Sequence, residues 1–244
     1  MGRIVSPNIV NDGLIFYLDA ANKRSYPGSG ANGSSLIGLD RVTLQNSTGF
    51  STENKGTFTL DGSNQYIEIA DSNTFSFGDG SNDSPFSISA WVNMTDATKF
   101  RLIQKVHSAF GSGLSEWYFL TTGADKLRIT VLDESASAYE YAETSALTSL
   151  QGQWLNLVAT YDGSGGTSAN IGMNIYINGV VQSVTRADSG TYTAMENLPQ
   201  PVYIGRYANV DYASGKIAVV KIYNKELSAS EVLQNYNALL PRFT

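Results

Sequence analysis

The sequence predicts an all-β protein, a two-sheet antiparallel sandwich closed by a short C-terminal helix. Three observations carry this. Runs of alternating apolar and polar residues, about five to eight long, recur along the chain. Clusters of Asp, Asn, Gly and Ser separate them, the residues that turns select. No amphipathic helix intervenes between the strands, which disfavours a parallel α/β sheet. Composition agrees. Of 244 residues only 16% are charged, while 42% are hydrophobic, so polarity comes from Ser, Thr, Asn and Gly and a helical bundle is disfavoured.

Leu14 to Leu18 forms an early strand. Phe58-Thr59-Leu60, then Asp61-Gly62-Ser63-Asn64, then Tyr66-Ile67-Glu68-Ile69 suggests a hairpin around an Asp-Gly turn. From Phe86 to Met94 the alternation is clearest: Phe86, Ile88, Ala90, Val92 and Met94 share one face, and Ser87, Ser89, Trp91 and Asn93 the other. Strands follow at 117–122, 127–132 and 154–161. Met173 to Val184 folds back at Asn178-Gly179, a strong hairpin signal. Strands at 202–206 and 216–223 complete the set.

One helix is specified. Ser228 and Glu231 form a capping box, and Leu227 and Val232 stand in staple positions. Val232, Leu233, Tyr236, Leu239 and Leu240 repeat at helical spacing until Pro241. Segments 24–35, 107–115 and 162–170 are rich in Gly and Ser and are expected to be mobile. With no dividing linker, 1–244 is expected to be a single domain, with 1–30 serving as N-terminal docking segment and first strand.

Charge excludes some functions. Sixteen Lys and Arg against 22 Asp and Glu give a net charge of −6, and no basic run exists to displace counterions, so nucleic acid is not an expected partner. Zero cysteines remove disulfides, thiolate metal sites and thiol nucleophiles. Residues Met1 to Pro7 hold no apolar stretch of signal-peptide length, and the apolar runs are too short for a membrane span.

Five ordered pieces carry a resemblance: Phe58–Tyr66, Phe86–Val92, Gln153–Tyr161, Ile175–Gly179 and Gly215–Ser228. Together they resemble the laminin G-like members of the concanavalin A-like lectin/glucanase superfamily, which implies a two-sheet jelly roll. Asn11–Asn22, Ser25–Gly30 and the ending Val232–Leu239 with Arg242-Phe243 are similar to such domains in tailed-phage virion proteins. That likeness implies a structural protein of the particle, made in the host cytoplasm. It would be oligomeric there and have capsid or tail subunits as partners.

Retaining glycoside hydrolysis needs two carboxylates about 5 Å apart, and Glu140 has Ala138 and Ala142 where a same-strand partner would stand. His107, the single histidine, sits on an apparent loop with no nucleophile elbow. Asp79-Gly80-Ser81-Asn82-Asp83 begins like a calcium loop but has Ala90 at the final ligand position, so a capped turn is the plainer account. Relatives of this kind sometimes hold calcium, so a structural calcium ion stays open, with Asp19 or Asp162 as further oxygen donors. For carbohydrate, aromatic faces are the signal. The candidates are Tyr139 and Tyr141 on one strand face, with Trp117, Tyr207 and Tyr212 in or near loops. Trp91 and Trp154 are assigned to packing. The expected function is therefore a non-catalytic virion decoration or adhesion module acting by surface contact. The alternative is a carbohydrate-binding receptor module for host-surface glycans, and glycan hydrolysis is the weakest reading.

Overall fold

The computed structural model describes residues 7–38, 40–107 and 113–244. In chain order the first strands are β1 (Leu14–Asp19), β2 (Asn32–Ser34), β3 (Arg41–Gln45), β4 (Gly49–Ser51), β5 (Thr57–Asp61), β6 (Tyr66–Ile69) and β7 (Phe86–Met94). Next come β8 (Ile103–Val106), β9 (Ser115–Thr121), β10 (Lys126–Asp133), β11 (Ala138–Ala146), β12 (Trp154–Tyr161) and β13 (Met173–Ile177). The last are β14 (Val180–Val181), β15 (Thr185–Ser189), β16 (Val202–Ile204), β17 (Arg206–Tyr207), β18 (Asp211–Tyr212) and β19 (Ser214–Tyr223), before helix α1 (Ala229–Leu239).

Among the described residues these strands form two sheets and a ribbon. The eight-stranded sheet runs β14-β13-β12-β7-β19-β5-β4, with β1 also paired to β19. The nine-stranded sheet runs β15-β11-β10-β9-β8-β16-β6-β3-β2, and β17 pairs only with β18. Strand β19 pairs with β7 along one edge and is long enough to serve two neighbours along the other: Ser214 to Ile217 pair with β5, and Val219 to Tyr223 with β1. The inner faces meet in one apolar core. Phe86, Ile88, Ala90, Val92 and Met94 supply one side, and Ile67, Ile103, Phe119, Ile129 and Val131 the other.

The turn after β5 departs from the expected hairpin. Asp61 Oδ1 accepts from the Ser63 and Asn64 amides and Gly62 takes φ +74°, so the turn itself is as expected. Its two arms, however, lie in different sheets: β5 pairs with β4 and β19, whereas β6 pairs with β3 and β16. Both arms carry an apolar face, and placing them on opposite layers buries both against one core. The Asn178-Gly179 hairpin does form, Tyr176 facing Val181 and Ile177 facing Val180.

Residues 7–30 pack into the sandwich and contain its first strand, β1. Phe16, Leu18 and Ala20 are core residues, and buried Tyr26 donates its hydroxyl to the Gly30 carbonyl at 2.8 Å. The first six residues, and 108–112 of the glycine-rich stretch 107–115, lie outside the described residues. Segment 24–35 contributes β2, and 162–170 runs into a 3-10 turn over Gly166–Gly172.

Both faces of β7 are buried, because α1 and the C-terminal residues cover the outer face of the eight-stranded sheet. Trp91 is thus buried on that outer face rather than in the central core, and half-buried Trp154 packs beside it. Helix α1 carries the expected capping box, with Ser228 and Glu231 satisfying each other's backbone amides.

Candidate functional site

Strand register lays one continuous row across the outer face of the nine-stranded sheet. Glu68 faces Tyr203, Tyr203 faces Gln104, Gln104 faces Tyr118, Tyr118 faces Thr130, Thr130 faces Tyr141, and Tyr141 faces Ala187. Cross-strand partners share a side, and their chain neighbours Ile67, Ile103, Phe119 and Ile129 point into the core. The β17–β18 ribbon lies over this row. Tyr207 meets Tyr118 edge-on with ring centroids 5.9 Å apart, and the Arg206 guanidinium covers Tyr203 at 4.2 Å and Tyr66 at 4.6 Å.

Where the ribbon ends, a cavity of about 230 Å³ opens, lined by Arg101, Tyr118, Leu120, Thr122, Gly123, Arg128 and Tyr207. Two guanidinium groups enter this lining and no carboxylate does. Each is fixed from behind by an acid. Arg101 Nη2 lies 2.5 Å from Asp211 Oδ2, with Lys99 on the other oxygen at 3.1 Å. Arg128 grips Glu143 Oε2 through Nε at 2.9 Å and Nη2 at 2.5 Å, and Lys126 holds Oε1 at 2.7 Å. Burial pushes both carboxyls up, but the cations outweigh it and hold Asp211 and Glu143 below the usual carboxylate range. The guanidinium groups also cover rings, Arg101 that of Tyr207 at 4.9 Å and Arg128 that of Tyr141 at 3.9 Å. Burial, reinforced by Tyr118, pushes the Tyr207 hydroxyl up to about 12, so it remains a donor at neutral pH.

The same face holds buried polar atoms with no hydrogen-bond partner among the described residues: both amide atoms of Gln104, Thr130 Oγ1, Arg101 Nε and Arg206 Nε. Such groups cost about 1–3 kcal/mol each when left unpaired. A larger cavity of about 520 Å³ lies elsewhere, lined by Tyr26, Gly28, Leu44 and Phe50 among others. It has no charged lining, and two of its rings, Tyr26 and Phe50, already pack on each other at 5.3 Å.

The expected residues divide. Tyr139 and Tyr141 lie side by side on β11, ring centroids 6.2 Å apart, and Tyr207 lines the cavity. Tyr212 stands apart on the ribbon against Tyr66, centroids 6.3 Å apart. Trp117 is a correction: it is fully buried, donates Nε1 to the Phe75 carbonyl at 2.9 Å, and packs on Phe77 and Phe86. Its neighbour Tyr118 faces outward instead, because successive strand residues alternate sides. Sequence reasoning missed Tyr118, Arg101 and Arg128. A signal existed, the spacing Lys99-Phe100-Arg101 repeated in Lys126-Leu127-Arg128.

The other chemical candidates find partners within the fold. Asp79 Oδ1 accepts from the Ser81 and Asn82 amides, and Asp83 Oδ2 accepts from the Tyr161 and Tyr192 hydroxyls at 2.6 Å each. Asp19 takes Arg242 at 2.6 Å, and Asp162 takes the Ser164 amide at 2.9 Å. Among the described residues no three His, Cys, Asp or Glu side chains group as a metal site. Glu140 does gain a carboxylate neighbour, Asp188 on the adjoining strand. It is nevertheless 1% exposed and hydrogen-bonded by Asn170, not set in a cleft. Burial first, then Asp188, pushes Glu140 up to about 7. His107 is exposed.

Two packed antiparallel sheets closed by one short C-terminal helix define a jelly-roll sandwich. Residues 61–233 match the family described as the concanavalin A-like lectin/glucanases superfamily, and the chain belongs to it. No curated protein matches the chain in sequence. Among solved structures it is similar to the binding domain of botulinum neurotoxin serotype D, at 17% identity and TM-score 0.66, covering 93% of this chain and 51% of that one. It is also similar to the type G receptor-binding domain, at 17% identity and TM-score 0.61 over 92% of this chain and 51% of the other. A third structure is the serotype D ligand-binding domain in complex with N-acetylneuraminic acid, at 16% identity and TM-score 0.64, covering 93% and 51%. The chain spans about half the length of these proteins, and at such identity the likeness shows the fold alone.

Proposed function

We propose that this protein is a non-catalytic, lectin-like binding module that recognises carbohydrate through the outer face of its nine-stranded sheet. The observation that carries the reading is the cavity between Tyr118 and Tyr207, where aromatic faces and fixed donors converge on one recess. Tyrosine rings suit the apolar side of a pyranose, and guanidinium N–H groups suit its oxygens. Similarity in fold to receptor-binding domains, one of them solved with a bound sugar, supports the same direction. Sequence reasoning ranked surface contact within a particle first; the site and the comparisons favour the carbohydrate reading.

The test is binding to immobilised glycans by the purified protein, repeated with Tyr141→Ala and Tyr207→Ala. Binding that weakens at least tenfold in Tyr207→Ala with unchanged folding supports the reading. Binding unaffected by either change removes this face from it.

A second reading places the module on a phage particle. One observation favours it: the two flanks that resemble virion proteins are joined to each other in the fold. Arg242 Nη1, in the C-terminal flank, donates to Asp19 Oδ1, in the N-terminal one, at 2.6 Å. Detection of the chain in purified particles by mass spectrometry supports this reading, and its absence there ends it.

A further inference from the structure

We propose that the Tyr118–Tyr207 cavity selects acidic glycans, taking a carboxylate or sulfate group between Arg101 and Arg128 and resting the sugar ring on the tyrosines. This deepens the carbohydrate reading and rests on it.

The lining decides the charge. In a chain of net charge −6, the recess presents two guanidinium groups and no carboxylate of its own. Two guanidinium groups aimed at one small space repel each other, and an anion placed between them relieves that repulsion. Their carboxylate partners lie behind the lining and leave donors over. Glu143 engages Nε and Nη2 of Arg128, so Nη1 stands outside that pair, and the Tyr118 hydroxyl is a further partner of the guanidinium. Asp211 engages only Nη2 of Arg101 and the Thr121 carbonyl accepts from Nη1, while buried Nε has no partner among the described residues.

Rigidity decides the fit. The Arg101 side chain is 9% exposed and held between Asp211, the Thr121 carbonyl and the Tyr207 ring. An arginine fixed before the ligand arrives loses little further freedom on binding. The volume, about 230 Å³, is below the roughly 300–1,000 Å³ of drug-sized pockets. It suits one acid-bearing sugar rather than several residues of a chain.

The experiment compares the intact protein's affinity for four probes: a heparin oligosaccharide bearing sulfate, an oligogalacturonate bearing carboxylate, a neutral malto-oligosaccharide, and polyglutamate as an acidic chain without sugar. Either acidic sugar should bind at least tenfold tighter than the neutral one, and whichever wins identifies the acid group. The preference should disappear in Arg128→Gln and shrink as salt rises from 50 to 500 mM, because added ions screen the approach of a charged ligand. Neutral and acidic probes binding alike would overturn the inference and leave the carbohydrate reading standing. Polyglutamate binding as tightly as the acidic sugars would overturn the choice of a glycan. If no sugar binds, the carbohydrate reading itself fails, and the inference with it. Since Arg128→Gln removes one partner of Glu143, the salt dependence of the unaltered protein is the second readout.

Discussion

Trp91 and Phe243 stack face to face, ring centroids 4.1 Å apart and planes 10° from parallel. Tyr236 stacks on Trp91 as well, at 5.6 Å, and Trp154 leans on Phe243 at 4.9 Å. Arg242, next in the chain, holds Asp19 and the carbonyls of Asn54 and Gly56, each at 2.6 Å. The last residues thus fasten α1 over the outer face of the eight-stranded sheet.

Phe243→Ala is expected to destabilise the fold by about 1–2 kcal/mol, the loss of a half-buried aromatic and its stacking. Urea unfolding measures it, and tryptophan emission should shift to the red as Trp91 and Trp154 meet water. An unchanged midpoint would show that this stack does not anchor the helix.

Lys221 predicts a stability that rises with alkalinity. Its side chain is fully buried and Nζ has no hydrogen-bond partner among the described residues, although it lies 5.9 Å from the Tyr17 ring. Burial, opposed in part by Asp19, pushes the ammonium from 10.5 down to about 7. Between those values the unfolded chain binds more protons, so stability grows as pH rises across the window. Lys221→Met should flatten that rise and gain about 1–3 kcal/mol at neutral pH. Thermal unfolding between pH 7 and 10 checks both; a variant less stable at every pH would contradict the argument.

Glu140 predicts the opposite slope at lower pH. Its folded value, pushed from 4.5 to about 7, lies above the unfolded one. The folded state therefore binds more protons in between, and this contribution is full below about 4.5 and lost as pH rises through about 7. Buried Glu116 shifts in the same direction, burial outweighing Lys105, so the useful comparison is of slopes. Glu140→Gln should reduce the loss of stability between pH 4.5 and 7. Identical slopes in variant and parent would refute the assignment.

Ser228→Ala removes the hydroxyl that accepts from the Glu231 amide. The expected cost is about 1 kcal/mol, read as a lower thermal midpoint.

The candidate site shows how far alternation reads and where it stops. The run Ser115–Thr121 announces a strand, but a period of two does not say which set of side chains faces the core. Trp117 was therefore placed one residue from Tyr118, the ring that lines the cavity. Arg101 carries no such signal, because it precedes β8, outside any alternating run, and meets Tyr207 only through the ribbon that folds over the sheet. The Asp61-Gly62 turn fails in the same way: its chemistry is local, while the partners of its two arms are not.

By itself the sequence determined the sandwich, most of its longer strands, both turn geometries and the capped helix. Periodicity, turn residues and capping boxes act over a few neighbouring residues, so their physics is complete within the chain. The tertiary structure alone decided the sheet assignment of β5 and β6, the burial of Trp117, and the meeting of Arg101 with Arg128 around one recess. Those depend on contacts between residues distant in sequence, chosen by which packing buries every apolar face at once.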